Sequence, residues 1–102
     1  MSIKKKYLKK KKLCKVTFKL DKEAVVFASS VHLVGEFNNW DMDATPMKRL
    51  KDGAYTVTLE LQSGRKYQFR YLIDKTNWEN DWHADEYAPT PYGDSKNSVV
   101  IV

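Results

Sequence analysis

The 102-residue chain is 42% hydrophobic and 13% aromatic, enough for one small core and too short for a large catalytic barrel. Its formal charge of +5 points, taken whole, to a nucleic-acid or membrane-surface binder. The charge is concentrated, however: eight of the 18 basic residues lie before position 16 with no acid among them, so residues 16–102 carry ten bases against thirteen acids.

Residues 1–13 consist of lysine runs separated by Ile3, Tyr7, Leu8 and Leu13. Repulsion among close like charges and a shortage of core-forming side chains predict a flexible arm ahead of a domain spanning 14–102. Seven lysines in the nine residues Lys4 to Lys12 form either a solvated tail or a salt-sensitive site for an anionic partner, nucleic acid or lipid. Cys14 is the single cysteine; no intrachain disulfide is available, and a small buried or half-buried thiol is expected. No apolar run follows the lysines as in a signal peptide. Nothing reaches the roughly 20 apolar residues of a membrane span. A cytoplasmic protein without a transmembrane segment is the expectation.

From Leu13 the pattern becomes periodic. Val16, Phe18 and Leu20 alternate with Thr17 and Lys19, the period of a half-buried strand. Asp21 to Ala28 fits one helical turn or an irregular edge. Val31 to Val34 is a second strand, closed by Gly35. Met47 to Leu50 is a short third, ended by the hairpin signal Lys51-Asp52-Gly53. Tyr55, Val57, Leu59 and Leu61 form the inward row of a fourth, with Thr56, Thr58 and Glu60 outward. After Ser63-Gly64, residues Lys66 to Ile73 place Tyr67, Phe69, Tyr71 and Ile73 inward and Gln68, Arg70 and Leu72 outward. Asn97 to Val102 is a closing β-branched run. Six or so short strands without a helical period predict an all-β, immunoglobulin-like antiparallel β-sandwich. Asp74 to Asn97 is aperiodic and rich in Asn, Asp, Trp and Pro, a length of connection that tends to carry function.

Trp40, Trp78 and Trp82 all fall in polar, loop-like sequence. An exposed indole forfeits roughly 25 cal/mol per Å² of apolar area, so each either caps the open end of the sandwich or meets a ligand. A sugar ring suits such a platform: its C–H face stacks on a flat aromatic, and its hydroxyls need amides, carboxylates or guanidinium groups. Single-stranded nucleic acid also stacks on aromatics but needs a positive groove. Around these tryptophans lie Asp41, Asp43, Asp74, Glu79, Asp81, Asp85 and Glu86. That acidity repels phosphate and favours a neutral ligand.

Three segments carry a family likeness: Val31-His32-Leu33-Val34-Gly35-Glu36-Phe37-Asn38-Asn39-Trp40; Tyr67-Gln68-Phe69-Arg70-Tyr71-Leu72-Ile73-Asp74 leading to Trp78; and Asn97-Ser98-Val99-Val100. Over residues 15–102 the chain resembles the family 48 carbohydrate-binding module, the early-set domain found at the N-terminus of isoamylases and branching enzymes and as a glycogen-binding domain of a protein kinase. The resemblance implies a non-catalytic domain binding an α-1,4-glucan or maltooligosaccharide. It implies that Trp40 and Trp78 stack on glucose rings and that Arg70 and Asn97 hydrogen-bond hydroxyls. Tyr92 and Ser95 fall near two further contact positions. It also implies a glucan-metabolising enzyme or kinase as partner. Trp82-His83-Ala84-Asp85 resembles the isoamylase-like branch, whose modules do not always bind sugar, so a protein-docking early-set domain is the alternative.

Other chemistry has less support. His32, His83 and Cys14 lack the short spacing of zinc ligands. Gly35, Gly53, Gly64 and Gly93 are isolated turn residues with no phosphate loop among them. Paired carboxylates for glycoside hydrolysis would need a deep cleft that this length does not provide. No metal, cofactor or catalytic residue is expected.

Overall fold

The computed structural model describes residues 2–91, 93 and 95–102. Among the described residues, nine strands form two antiparallel sheets: β1 (Ser2–Leu8), β2 (Leu13–Leu20), β3 (Val31–Gly35), β4 (Lys48–Arg49), β5 (Tyr55–Gln62), β6 (Lys66–Ile73), β7 (Asn77–Glu79), β8 (Glu86–Pro89) and β9 (Lys96–Ile101). One sheet has the order β1-β2-β5-β4 and the other β3-β6-β9-β8, with β7 also on β6. The all-β sandwich expected from the alternation is the fold found.

The inward rows of the two sheets make the core. Cys14, Val16, Phe18 and Leu20 from β2 meet Leu33 from β3, Phe69 and Tyr71 from β6 and Val100 from β9, all fully buried. Phe18 and Phe69 pack edge-on at 5.1 Å between centroids, and Phe69 and Tyr71 at 5.6 Å. Each such pair adds about 0.5–1.5 kcal/mol beyond its area. Cys14 is a buried free thiol, as its place in the alternation implies.

Within the segment expected from its charge to be a flexible arm, residues 2–8 lie in a strand. Ser2–Leu8 is a strand paired along its whole length with β2, Ile3 opposite Phe18, Lys5 opposite Val16 and Tyr7 opposite Cys14. Alternation decides this outcome over net charge, because Ile3, Lys5 and Tyr7 fall on the inward row. The inward Lys5 is neutralised across the sandwich by Asp85, with Nζ 2.6 Å from the carboxylate. An inward charge on an edge strand also discourages pairing with other chains. Residues 74–89 likewise hold more order than their composition suggests. Asp74 and Lys75 both take left-handed backbone angles, and Thr76 N donates to Ile73 O. This three-residue connection, between the paired Ile73 and Asn77, folds β7 onto the end of β6.

Asp21 to Ala28 holds a short 3-10 turn at Lys22–Ala24. Among the described residues, no helix is long and apolar enough to cross a membrane, and no cluster of three or more His, Cys, Asp or Glu side chains is arranged to hold a metal.

Candidate functional site

The site lies on the outward face of the β3-β6-β9-β8 sheet. The outward row is not wholly polar: Val34 is 0% exposed, Leu72 1% and Val99 4%. Each is the registered neighbour of a long side chain, Val34 of Arg70, Leu72 of Trp78 and Val99 of Gln68. Cross-strand neighbours on one face lie within about 5.5 Å, so the stems and rings of these longer residues roof the small apolar ones. The burial of Leu72, left outward by its alternation, follows from Trp78 above it.

Trp40 is delivered by the turn that follows β3. The Phe37 ring drops into the core against Phe18, Tyr67 and Phe69 at 5.8–6.4 Å. Its ring passes so close to Gly35 that a Cβ there would sit 2.9 Å from Phe37 Cζ and 2.6 Å from the Gln68 carbonyl oxygen. Gly35 is therefore required by proximity. The Asn38 side chain knits the turn: its Oδ1 accepts from Gly35 N at 3.0 Å, and its Nδ2 donates to Leu33 O and Thr45 Oγ1. Asn39 and Trp40 then both adopt φ of 57°, a conformation that costs about 1–2 kcal/mol for a residue with a Cβ. Trp40 N donates to Gly35 O at 2.8 Å and holds it there. The outcome is an indole 39% exposed.

Trp78 reaches the same face by another route. It is the central residue of β7, paired with Leu72, and not a loop residue as its surroundings in sequence suggest. Its indole is 45% exposed. The segment behind it is anchored by a buried polar network. Asp81 is fully buried; it accepts from Tyr71 Oη at 2.7 Å and from His83 N at 2.8 Å, while its own N–H donates to Ser98 Oγ. Tyr87 Oη donates to Asp81 O. Asn80 Oδ1 accepts from Ser98 N and Oγ, and Asn80 Nδ2 donates to Lys96 O at 2.8 Å. Burial, and next the Asp81 charge, push the Tyr71 hydroxyl well above 10.0, which keeps it a donor.

Trp40 and Trp78 line one open groove of about 660 Å³, together with Arg70, Asn97 and Ser95. The structure thus brings together five of the six residues singled out from the sequence; Tyr92 lies outside the described residues. Arg70 is fixed by two bonds, Nε to Asn97 Oδ1 and Nη2 to Lys96 O, both 2.7 Å. Asn97 Nδ2 donates to Gln68 Oε1 at 3.0 Å, and Gln68 N donates to Glu36 Oε1. Ser95 and Thr90 join hydroxyl to hydroxyl at the mouth of the β8–β9 loop.

Sequence reasoning passed over four lining residues, Glu36, Gln68, Thr90 and Pro91. Gln68 had a signal, since it shares the outward row with Arg70. Trp82, although 51% exposed, is not among the residues lining this groove. Its Nε1 donates to Glu79 at 3.4 Å.

The two tryptophan-bearing segments are tied to each other. Lys75 Nζ, from the β6–β7 turn, donates to Met42 O and pairs with the Asp43 carboxylate, both just beyond Trp40. The hydrogen bond from Lys75, and then its charge, hold the Asp43 carboxyl below its usual 3.8. His32, on the adjoining outward position of β3, has a buried Nδ1 without a partner among the described residues. Desolvation first, and Lys75 second, lower its pKa below 6.5, so it stays neutral.

A two-layer antiparallel sandwich of early-set type, with aromatic rings and fixed polar groups on one open groove, defines the class as an immunoglobulin-like binding module. The family of carbohydrate-binding module 48 (isoamylase N-terminal domain) matches residues 25–88, and the chain belongs to it. The chain is also similar to three 1,4-alpha-glucan branching enzymes. It is 42% identical over 64 residues to that of Aquifex aeolicus, covering 60% of this chain and 10% of the enzyme. Identity is 44% over 43 residues to that of Photobacterium profundum, 41% of this chain and 6% of the enzyme. For Butyrivibrio fibrisolvens it is 40% over 63 residues, 60% and 10%. The chain therefore spans a tenth or less of the length of these relatives.

Proposed function

We propose that the domain is a non-catalytic α-glucan-binding module, with Trp40 and Trp78 as stacking platforms for glucose rings and with Arg70 and Asn97 bonding the hydroxyls. One observation carries the reading: two half-exposed indoles, supplied by separate segments, line the same open groove as a guanidinium and an amide already locked in orientation. A neutral, amphipathic ligand suits that combination. Rings give it an apolar floor, and the fixed polar groups lose little further rotamer freedom on binding. The similarity to 1,4-alpha-glucan branching enzymes supports the same ligand class. Ser95 and Tyr92 complete the proposed contact set at the β8–β9 loop. A glucan-metabolising enzyme is the proposed partner, and the cytoplasm the proposed setting.

Co-pelleting with glycogen or amylopectin tests it. The wild-type chain is expected in the pellet and the Trp40→Ala/Trp78→Ala variant in the supernatant. Equal amounts of both in the supernatant overturn the proposal. A wild-type chain that stays soluble but binds a glucan-processing enzyme would instead favour the early-set docking domain.

A further inference from the structure

The opposite face of the sandwich carries a second, chemically different surface. On the outward row of the β1-β2-β5-β4 sheet, the register aligns Lys4 with Thr17, Lys6 with Lys15 and Ser2 with Lys19, and continues through Thr56 to Lys48. Glu60, beside Lys15, is the one acid on that row. The Lys9–Lys12 turn extends the field past the end of the strands. Among the described residues, the ion pairs join Lys5 to Asp85, Lys66 to Glu86 and Lys75 to Asp43; none uses a lysine of this face. Lys6 directly opposite Lys15 is a like-charge cross-strand pair, which destabilises a sheet. An arrangement that opposes folding is relieved when an anionic surface lies against it.

We propose that this face is a docking surface for an anionic lipid bilayer. The argument for lipid over nucleic acid rests on the side chains between the charges. Leu8 and Leu13 face each other on the same outward row, flanked by Lys6 and Lys15 on one side and by the Lys9–Lys12 turn on the other. An apolar pair within a ring of lysines fits the headgroup boundary of a bilayer. The outward row of these strands carries no aromatic ring on which a base would stack and no arginine fork for a phosphate or guanine. Because the two sheets back onto each other, docking here leaves the Trp40–Trp78 groove turned away from the membrane.

The test is co-sedimentation of the 102-residue chain with vesicles of phosphatidylcholine alone and of phosphatidylcholine with phosphatidylserine, at low and at physiological salt. Binding is expected only with phosphatidylserine, weakening as salt rises. Each lysine removed should lower partition roughly fivefold, so Lys4→Gln/Lys6→Gln/Lys15→Gln/Lys19→Gln should stay in the supernatant. Leu8→Ser/Leu13→Ser keeps every charge and is expected to bind vesicles more weakly while leaving retention of duplex DNA unchanged. Thermal melts followed by circular dichroism verify that both variants are folded. Failure of the wild-type chain to bind phosphatidylserine vesicles at low salt overturns the proposal. So does wild-type partition by either folded variant, or tighter binding to duplex DNA than to the vesicles.

Discussion

The two outward faces of this sandwich are built on the same alternation and reach opposite results. Behind both lies a core row of Val, Leu, Phe and Tyr. On the β3-β6-β9-β8 sheet the outward row mixes Val34, Leu72 and Val99 with Arg70, Trp78 and Gln68, and the long residues roof the short ones. On the β1-β2-β5-β4 sheet the outward row is mostly lysine and threonine, with one apolar pair, Leu8 and Leu13, at its end. An apolar residue in an outward position therefore tells where loops and large side chains return over a sheet. A bare charged row tells where they do not. Binding of a neutral ligand belongs to the first kind of surface and electrostatic association to the second.

The sharpest way to break the contrast is to strip the groove of its rings. Trp40→Ala/Trp78→Ala should cost about 2 kcal/mol of glucan affinity for each ring, read by isothermal titration with a maltooligosaccharide, and leave vesicle binding unchanged. Next comes the turn that holds Trp40. Gly35→Ala places a Cβ against the Gln68 carbonyl and the Phe37 ring and should lower stability by about 1–3 kcal/mol in urea unfolding, with glucan affinity falling alongside. Asp81→Ala removes the acceptor for Tyr71 and His83 and should cost about 1–3 kcal/mol. Its effect on affinity should exceed that of any single lysine replacement on the far face.

Two smaller effects follow from titration. The Tyr71 hydroxyl has a raised pKa in the folded chain, so its contribution is fully present below 10.0 and is lost as pH climbs toward the folded value. Melting temperature should drop on the alkaline side of 10.0, and Tyr71→Phe should flatten that part of the profile. The smallest effect belongs to Lys75→Ala. It should leave the melting temperature nearly unchanged, because Asp43 is exposed and screened, yet loosen the link between the two tryptophan segments and weaken glucan binding. Asp43 is depressed below 3.8, so its share of the link is present above that pH and is lost as pH falls through the folded value. Wild type and Lys75→Ala should then converge.

Much of the fold was legible because alternation is a local signal. β2, β3, β5, β6 and β9 each show their inward row within eight residues. β1 has an alternation too, but Lys5 occupies an inward position, and its partner Asp85 lies eighty residues away. Only the folded neighbourhood makes that lysine acceptable. β7 and β8 are short, and their order comes from the Asn80-Asp81 network with Ser98 and Tyr71, contacts that no sequence window contains. The site shows the same division. Trp40, Trp78, Arg70, Ser95 and Asn97 stand out by residue type and order, whereas Glu36 and Gln68 enter through contacts 32 residues apart.

Strand β6 has a fork along one edge: residues 66–69 pair with β9, and residues 71–73 pair with β7. At the fork, the Lys96 carbonyl receives both Arg70 Nη2 and Asn80 Nδ2. The bore of the groove between the Trp78 strand and the Asn97 strand is thus gauged by two side chains meeting at one oxygen, while the main-chain ladders on either branch stay as they are. Asn80 also accepts from Ser98 N and Oγ, so this one amide fastens the Trp78 segment to the Asn97 strand at the point where the ladders of β6 part.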